Sequence, residues 1–448
     1  MKDLTKGNVF KLILVFTLPI LFGSFFGMAN YFVDGIIVGK NVGKEALAAT
    51  GEVFPFIFCM VSIVTGISIG SNILLAQAYG AKNPQLVSKI IETNIIFLFF
   101  ASLFVTFGGI LLCPYVFKVM NIPVDVMPYA IIYTRMYLAG MIFMFFTNTI
   151  QAMLRSMGDS RTPFYFVIVT NVLNIAFDLI FVLWLKMGIY GISLAVILSY
   201  IIVFGGLFYY FFRYQKQVKI SLFHLKFNKK IFFKSFKLGL PIGAQTLLQS
   251  FAMILAFSIV NNYGTNAVAV FAVGGKIDAI MFMFAMDISS GLSAFVGQNL
   301  GAGRYDRVKS GMAAAWFISF VPIFILTVLA LIKGEWLIGF FTDDKAVVEL
   351  GTKYLLIVSG FYLICMTTYI FGSVFSGAGR TILVLISTII GWWIVRIPVS
   401  YFLSKSIGAD GVWWSIAAQW SAEFIFALIL FNIGKWKNKI SIQTISHD

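Results

Sequence analysis

Long apolar stretches alternate with short polar breaks along the chain. Breaks at 40–45, 80–84, 121–126, 158–162, 186–188 and 213–237 bound six apolar segments; breaks at 261–266, 301–309, 333–345, 377–381, 405–410 and from Lys435 onward bound six more. A membrane-spanning helix needs about 20 predominantly apolar residues. The pattern therefore predicts an all-α integral membrane protein of twelve transmembrane helices, joined near the middle by one long basic loop. The run from Phe10 to Gly39 is too long for a signal-peptide core and lacks an A-x-A cleavage site, so it reads as a retained spanning helix. The expected organisation is an N-lobe over 1–213 with helices 1–6, a basic cytoplasmic linker over 214–231, and a C-lobe over 232–448 with helices 7–12 and a short basic tail.

Composition supports this reading. Of 448 residues, 60% are hydrophobic and 11% charged, against about 45–50% and 25% in soluble domains. A soluble enzyme and a disordered chain are both excluded. The net charge of +15 would suggest nucleic acid if it were spread over a soluble face. An even helix number puts both termini on one side, and the positive-inside rule makes that side cytoplasmic. Inside loops then hold 22 basic and four acidic residues, outside loops eight and seven, and the helices three and seven. The net charge is +18 inside, +1 outside and −4 within the bilayer, which fits topology and anionic headgroups with no nucleic-acid partner. A monomer in the cell membrane is expected.

Enzyme chemistry finds little support. Cys59, Cys113 and Cys365 lie in apolar runs without metal or redox spacing. The two histidines, His224 and His447, fall in the basic loop and the tail. No HExxH, GxSxG or P-loop occurs, and no polar stretch is long enough for a nucleotide domain. No cofactor is expected.

The two halves repeat. Leu18-Pro19 recurs as Leu240-Pro241. Gln77-Ala78-Tyr79-Gly80-Ala81 recurs as Gln298-Asn299-Leu300-Gly301-Ala302, each after a small-residue stretch, 66–71 and 289–293. Gly158 with Arg161-Thr162 recurs as Gly379 with Arg380-Thr381, and Gly188 and Gly191 as Gly408 and Gly411. These offsets stay between 219 and 222. Both copies start inside, so this is a parallel six-plus-six repeat, an architecture of alternating-access transporters. Helix packing through small residues explains single glycines, but not matched landmarks at one offset.

Ionisable groups within the bilayer are costly and mark function by default. Asp34 and Asp178 lie near the outer ends of helices 1 and 5, at similar depth. Each has an asparagine four residues earlier on the same helical face, Asn30 and Asn174, and Asn171 extends the second stripe. Two carboxylates with amide oxygens suit Na⁺ as a hard cation and equally suit a shared proton. Opposite them the repeat places Leu255 or Ala256, and Pro398 near Arg396, so the pair is not duplicated in the C-lobe. Asp287, at mid-helix 8, reads either as an attractor of a cationic substrate or as a locally hydrogen-bonded acid. Met283 and Met286 lie in the aromatic and methionine run 281–286, a candidate cavity wall for organic cations. Glu92 is expected near the inner headgroups, and Arg396 to pair within the C-lobe.

The ordered landmarks resemble the multidrug and toxic compound extrusion (MATE) family, with details leaning to its bacterial DinF-like branch. They are Leu18-Pro19 with Asp34, residues 76–81, 151–163, Asn174-x3-Asp178, 297–303 and 376–381, covering residues 7–434. The resemblance implies a V-shaped pair of six-helix lobes. It also implies export of cationic amphipathic compounds in exchange for H⁺ or Na⁺. The matching aspartates, with Asn174, would form the N-lobe coupling site and the Na⁺ ligands if sodium is used. Two positions depart from related branches. Gln249 stands where one branch carries a helix-7 glutamate, and Val196 where some relatives offer a threonine oxygen, with Ser193 and Ser199 off-register. Gln249 is kept as a candidate cavity residue. The alternatives are a flippase for lipid-linked precursors, disfavoured by the −4 in the membrane, and a membrane enzyme or channel.

Overall fold

Backbone polar groups in a bilayer must be satisfied within the protein, and every assigned element among the described residues is helical. The computed structural model describes residues 2–120, 122–214, 225–434 and 436. Residues 215–224 of the expected linker, with His224, and the basic tail with His447 lie outside the described residues.

The helices are α1 (Val9–Asn41), α2 (Lys44–Glu52), α3 (Phe54–Gly80), α4 (Pro84–Val119), α5 (Met127–Ser156), α6 (Arg161–Asp178), α7 (Ile189–Tyr214), α8 (Lys229–Asn261), α9 (Gly264–Gly301) and α10 (Tyr305–Ile332). They continue as α11 (Gly334–Gly339), α12 (Lys345–Val358), α13 (Tyr362–Gly377), α14 (Thr381–Thr388), α15 (Ile397–Ile407) and α16 (Asp410–Asn432). Among the described residues, eleven helices are long and apolar enough to span. A twelfth span is formed by Ala49–Ser62 with Val64–Gly80, bent by 41°. The predicted count therefore stands, with one span bent. Two spans contain a π-helical segment, and the span Lys345–Gly377 a short 3-10 turn at Ser359–Phe361. A π-helical segment, Leu179–Trp184, directly follows Asp178, and another, Ile389–Arg396, joins α14 to α15. The break at 333–345 holds the short helix α11.

The chain divides into two compact units. One comprises Met1–Asp3 and Leu18–Gly243; the other comprises Leu4–Thr17 and Ala244–Asp448. The divisions fall inside α1 and α8, beside Pro19 and Pro241, rather than in the central loop. Within the N-terminal unit, α3, α4 and α5 enclose an apolar core that includes Leu98, Phe117, Leu138 and Phe145. Within the C-terminal unit, α9 packs against α10, α12 and α13, and α16 against α12, α13 and α15.

The small-residue stretches find their reason here. In the N-terminal unit the start of α8 crosses α3 at Gly66 and Gly70. A Cβ on Gly66 would lie 2.6 Å from the Gly243 amide nitrogen and 2.8 Å from the Gly239 carbonyl oxygen. In the C-terminal unit the start of α1 crosses α9 at Gly291, where a Cβ would lie 2.5 Å from Thr17 Cγ2. The preceding chain is tied down too. The Leu4 amide donates to Gln298 Oε1 at 3.3 Å, Asn299 Nδ2 donates to the Leu4 carbonyl at 3.2 Å, and Arg304 Nη1 donates to the Thr5 carbonyl at 2.8 Å. In the N-terminal unit the Lys226 amide donates to Glu92 Oε2, and the Asn228 amide to Thr93 Oγ1, each at 3.2 Å. Glu92 therefore anchors the end of the linker rather than only facing headgroups.

Overpacking a close helix crossing costs about 1–3 kcal/mol or more. Gly70→Leu should lower the thermal unfolding midpoint of the purified protein. Gly205→Leu, at a glycine with nothing within 4 Å of its Cβ position, should not. Equal midpoints in a scanning fluorescence melt would refute the close approach at Gly70.

Candidate functional site

In the N-terminal unit α1 and α6 bring their polar stripes together. Asn30 and Asp34 lie one turn apart on α1, and Asn174 and Asp178 one turn apart on α6, so both pairs share a face. The Asn30 amide joins the helices. Its Nδ2 donates to Asp34 Oδ2 at 3.2 Å and to Asn174 Oδ1 at 2.8 Å. The Asp34 and Asp178 carboxyl groups lie within side-chain hydrogen-bond reach of each other. Asp178 is 1% exposed and Asn174 6%.

Most of the carboxyl oxygens have no donor, although the Asn174 Nδ2 is itself buried and unpaired. Asp34 Oδ1 and both Asp178 oxygens are buried without a hydrogen-bond donor. Asn30 Oδ1 is also buried and unpaired. Among the described residues no basic side chain forms an ion pair with either aspartate. Burying acceptor oxygens this way is unfavourable unless something positive reaches them. Two carboxyls in mutual reach can share one proton. The same four oxygens are also chemically suited to a hard monovalent cation, although the Asn30 amide group already occupies part of the space between the helices.

Asn171 falls on the same side of α6, but its Nδ2 has no partner, and it is not in the bonded set. Ser193 and Ser199 on α7 turn their hydroxyls to their own helix, to the carbonyls of Ile189 and Ala195, so neither serves the pair. Sequence reading missed Tyr133 of α5, whose hydroxyl is within Coulombic reach of both aspartates. The same residue packs on an apolar cluster of Ile37, Val38, Val182, Ile189 and Ile192. Ile37, Val38 and Val182 of this cluster lie one turn beyond Asp34 and Asp178 along the chain. A tyrosine among eighteen, on a helix with no charged neighbour of its own in the pair, gave no signal in sequence.

The candidate substrate residues lie in the C-terminal unit. Met286 is exposed; Asp287, Met283 and Gln249 are half-buried. In the run 281–286, Met281 and Ala285 are core residues, and Phe282 packs edge-on against Tyr369 and Trp420. Arg396 pairs inside the unit, as expected, with Nη1 donating to Gln419 Oε1 at 2.9 Å. The positions matching the aspartates carry no carboxyl: Ala256 is buried and Leu255 exposed.

A family model for MatE matches residues 19–180 and again 241–402. The chain belongs to the MATE family. The double match, displaced by 222 residues, is the internal repeat seen from outside. Curated MATE relatives include the probable multidrug resistance protein YoeA of Bacillus subtilis, 27% identical over 97% of this chain and 96% of its own length. The multidrug export protein MepA of Staphylococcus aureus is 22% identical over 98% and 96%. Among solved structures, a transporter of the wider MOP superfamily from Pyrococcus furiosus superposes with a TM-score of 0.90 at 22% identity, covering 98% of both chains. An outward-facing multidrug resistance MATE transporter gives 0.89 at 22% identity, covering 100% and 99%. The fold of twelve spanning helices in a MATE-type repeat is thereby shown, and the protein is a multi-pass membrane transporter for small molecules.

The pair's chemistry makes a stability prediction. Asp178→Asn puts an amide donor where no donor reaches Asp34 Oδ1. The variant should melt at the wild-type temperature or above it. A fall of several degrees would mean that the carboxyl pair is structural.

Proposed function

We propose that this protein exports cationic amphipathic compounds by alternating access, and that inward proton movement through Asp34 and Asp178 drives the export. The observation that carries this reading is the buried carboxyl pair, with three oxygens lacking a donor and no basic partner among the described residues. Such a pair is held in the membrane only with a bound positive charge. A proton satisfies the two carboxyls in mutual reach directly. Na⁺ would require the Asn30 amide to turn its oxygen inward, away from its bonds to Asp34 and Asn174.

The coupling logic follows. Loading one proton or one monovalent cation takes the pair from −2 to −1, removes the repulsion between two carboxylates and lets the α1 and α6 faces pack closer; unloading restores that repulsion. A ligand shifts a conformational equilibrium only by its differential affinity for the two states, and loading this pair supplies such a difference. Relatives bearing multidrug resistance and export names support drug-like substrates. Protein residues form no covalent intermediate in this scheme. In this reading the protein acts in the cell membrane as a monomer with both termini in the cytoplasm; the charge asymmetry of its loops supports that orientation.

The test is efflux of a fluorescent organic cation from proteoliposomes under separately imposed H⁺ and Na⁺ gradients. A proton gradient alone should drive wild-type efflux. Asp34→Asn should reduce it by about 5–150-fold, the range of typical coupling free energies, while leaving substrate binding measurable. Efflux driven only by Na⁺ would replace the proton with sodium at this site. Efflux indifferent to both gradients, or unaltered in Asp34→Asn, would overturn the mechanism.

A further inference from the structure

The C-terminal unit holds a second charged cluster, built differently, in which Asp278 and Arg396 are buried and Glu423 half-buried. Asp278 of α9 accepts hydrogen bonds from the Tyr354 hydroxyl of α12 at 2.5 Å and the Tyr362 hydroxyl of α13 at 2.6 Å. Arg396 ends the π-helical segment and is 5% exposed. Its guanidinium stacks over Trp392 at 4.3 Å from the ring centre. Its Nη1 donates to Gln419 Oε1 at 2.9 Å, and Gln419 Nε2 donates in turn to Glu423 Oε1 at 3.2 Å. The Gln419 amide thus bridges Arg396 and Glu423. Glu423 occupies the space that Gly391 leaves, since a Cβ at Gly391 would overlap its carboxyl.

The cluster contains one cation and two carboxyls. Arg396 forms no ion pair within 4.0 Å among the described residues, and its Nε is buried without a partner. It acts on Asp278 and Glu423 through the low-dielectric interior. With both acids ionised the cluster carries a net charge of −1; with one proton it is neutral. Burial favours the neutral count. The hydrogen bonds tell the two acids apart. Asp278 has two phenolic donors at the short distances typical of an ionised acceptor, so it is the carboxylate that balances Arg396. Glu423 has one neutral amide donor at a longer distance, with Cys365 and Tyr369 as its other titratable neighbours.

We propose that Glu423 is a proton-binding site of the C-terminal unit, separate from the aspartate pair, with Arg396, Gln419 and Asp278 as its positioning groups. Loss of the proton to water breaks the carboxyl O–H bond and leaves its electron pair on the carboxylate. The new charge then competes with Asp278 for Arg396 through the Gln419 amide. This goes beyond the proposed coupling at Asp34 and Asp178, and its test does not depend on transport.

The test is pH-difference infrared spectroscopy of the full-length protein in lipid nanodiscs. Asp34→Asn with Asp178→Asn removes the carboxyls of the N-terminal pair. This background should keep one titrating band of a buried protonated carboxyl, and adding Glu423→Gln should abolish it. Adding Asp278→Asn instead should move the titration midpoint to lower pH, because Glu423 then becomes the sole counter-charge to Arg396. No titrating carboxyl in the background, a band that survives Glu423→Gln, or a midpoint unmoved by Asp278→Asn would each overturn the proposal. Should Glu423→Gln fail to fold, Glu423→Asp decides: a shifted band supports the site, and an unshifted band overturns it.

Discussion

Removing a carboxylate from water without giving it a partner is among the most costly steps a membrane protein can take. This chain takes it in both units and resolves it in two ways. In the N-terminal unit two aspartates face each other, with asparagine amides and the Tyr133 hydroxyl nearby and no basic partner among the described residues. In the C-terminal unit an arginine lies among the acids, and tyrosine hydroxyls satisfy one of them. One site is short of positive charge by design. The other carries most of its own.

The same constraint explains why glycine marks the repeat. α1 and α8 each begin in one compact unit and end in the other, with the division beside a proline. The start of α8 lies against Gly66 and Gly70, where backbone meets backbone, and the start of α1 lies against Gly291, where the Thr17 and Phe16 side chains fill the space. At α8 a bare backbone contact leaves no side chain to rearrange, and hydrogen bonds to the preceding chain help to fix both helix starts. Proline supplies no amide donor to the turn before it, which leaves the helix weakest where its membership changes. Asp34 lies on α1 beyond that point, and the cluster-bearing half of the repeat begins beyond Pro241.

Much of this was legible in sequence because it rests on pattern. Apolar length gave the spans, and the matched landmarks gave the repeat. An acid and an amide four residues apart put Asn30 with Asp34 and Asn174 with Asp178 on common faces. What escaped the sequence reading depends on which helices meet. Tyr133 reaches the aspartates from α5, and nothing in its own segment announces this. Asp278, Tyr354, Tyr362, Gln419 and Glu423 are drawn from four different helices, so the assembly is invisible although every member is plain. The unit boundaries escaped for a related reason. Hydropathy marks loops, while the divisions lie within α1 and α8, where apolar character continues unbroken. The run 281–286 misled in part, because a methionine and aromatic stripe serves a packed core as readily as a cavity wall. Residues Met281, Phe282 and Ala285 have gone to packing.

The unequal charge of the two units bears on how an ion gradient could do work. A site that is neutral at rest gains little from binding one more cation. A pair of facing carboxylates gains a great deal, because each proton or cation removes both a desolvation penalty and a repulsion. The larger change in free energy on loading therefore belongs to the aspartate pair, and the C-terminal cluster, with Arg396 already in place, changes by the balance of a single charge. The repeat supplied two equivalent scaffolds, and the aspartate pair in one with Asp278, Arg396 and Glu423 in the other made them inequivalent. That inequivalence follows from composition at a few buried positions, and no difference in helix number or order between the halves is needed to produce it.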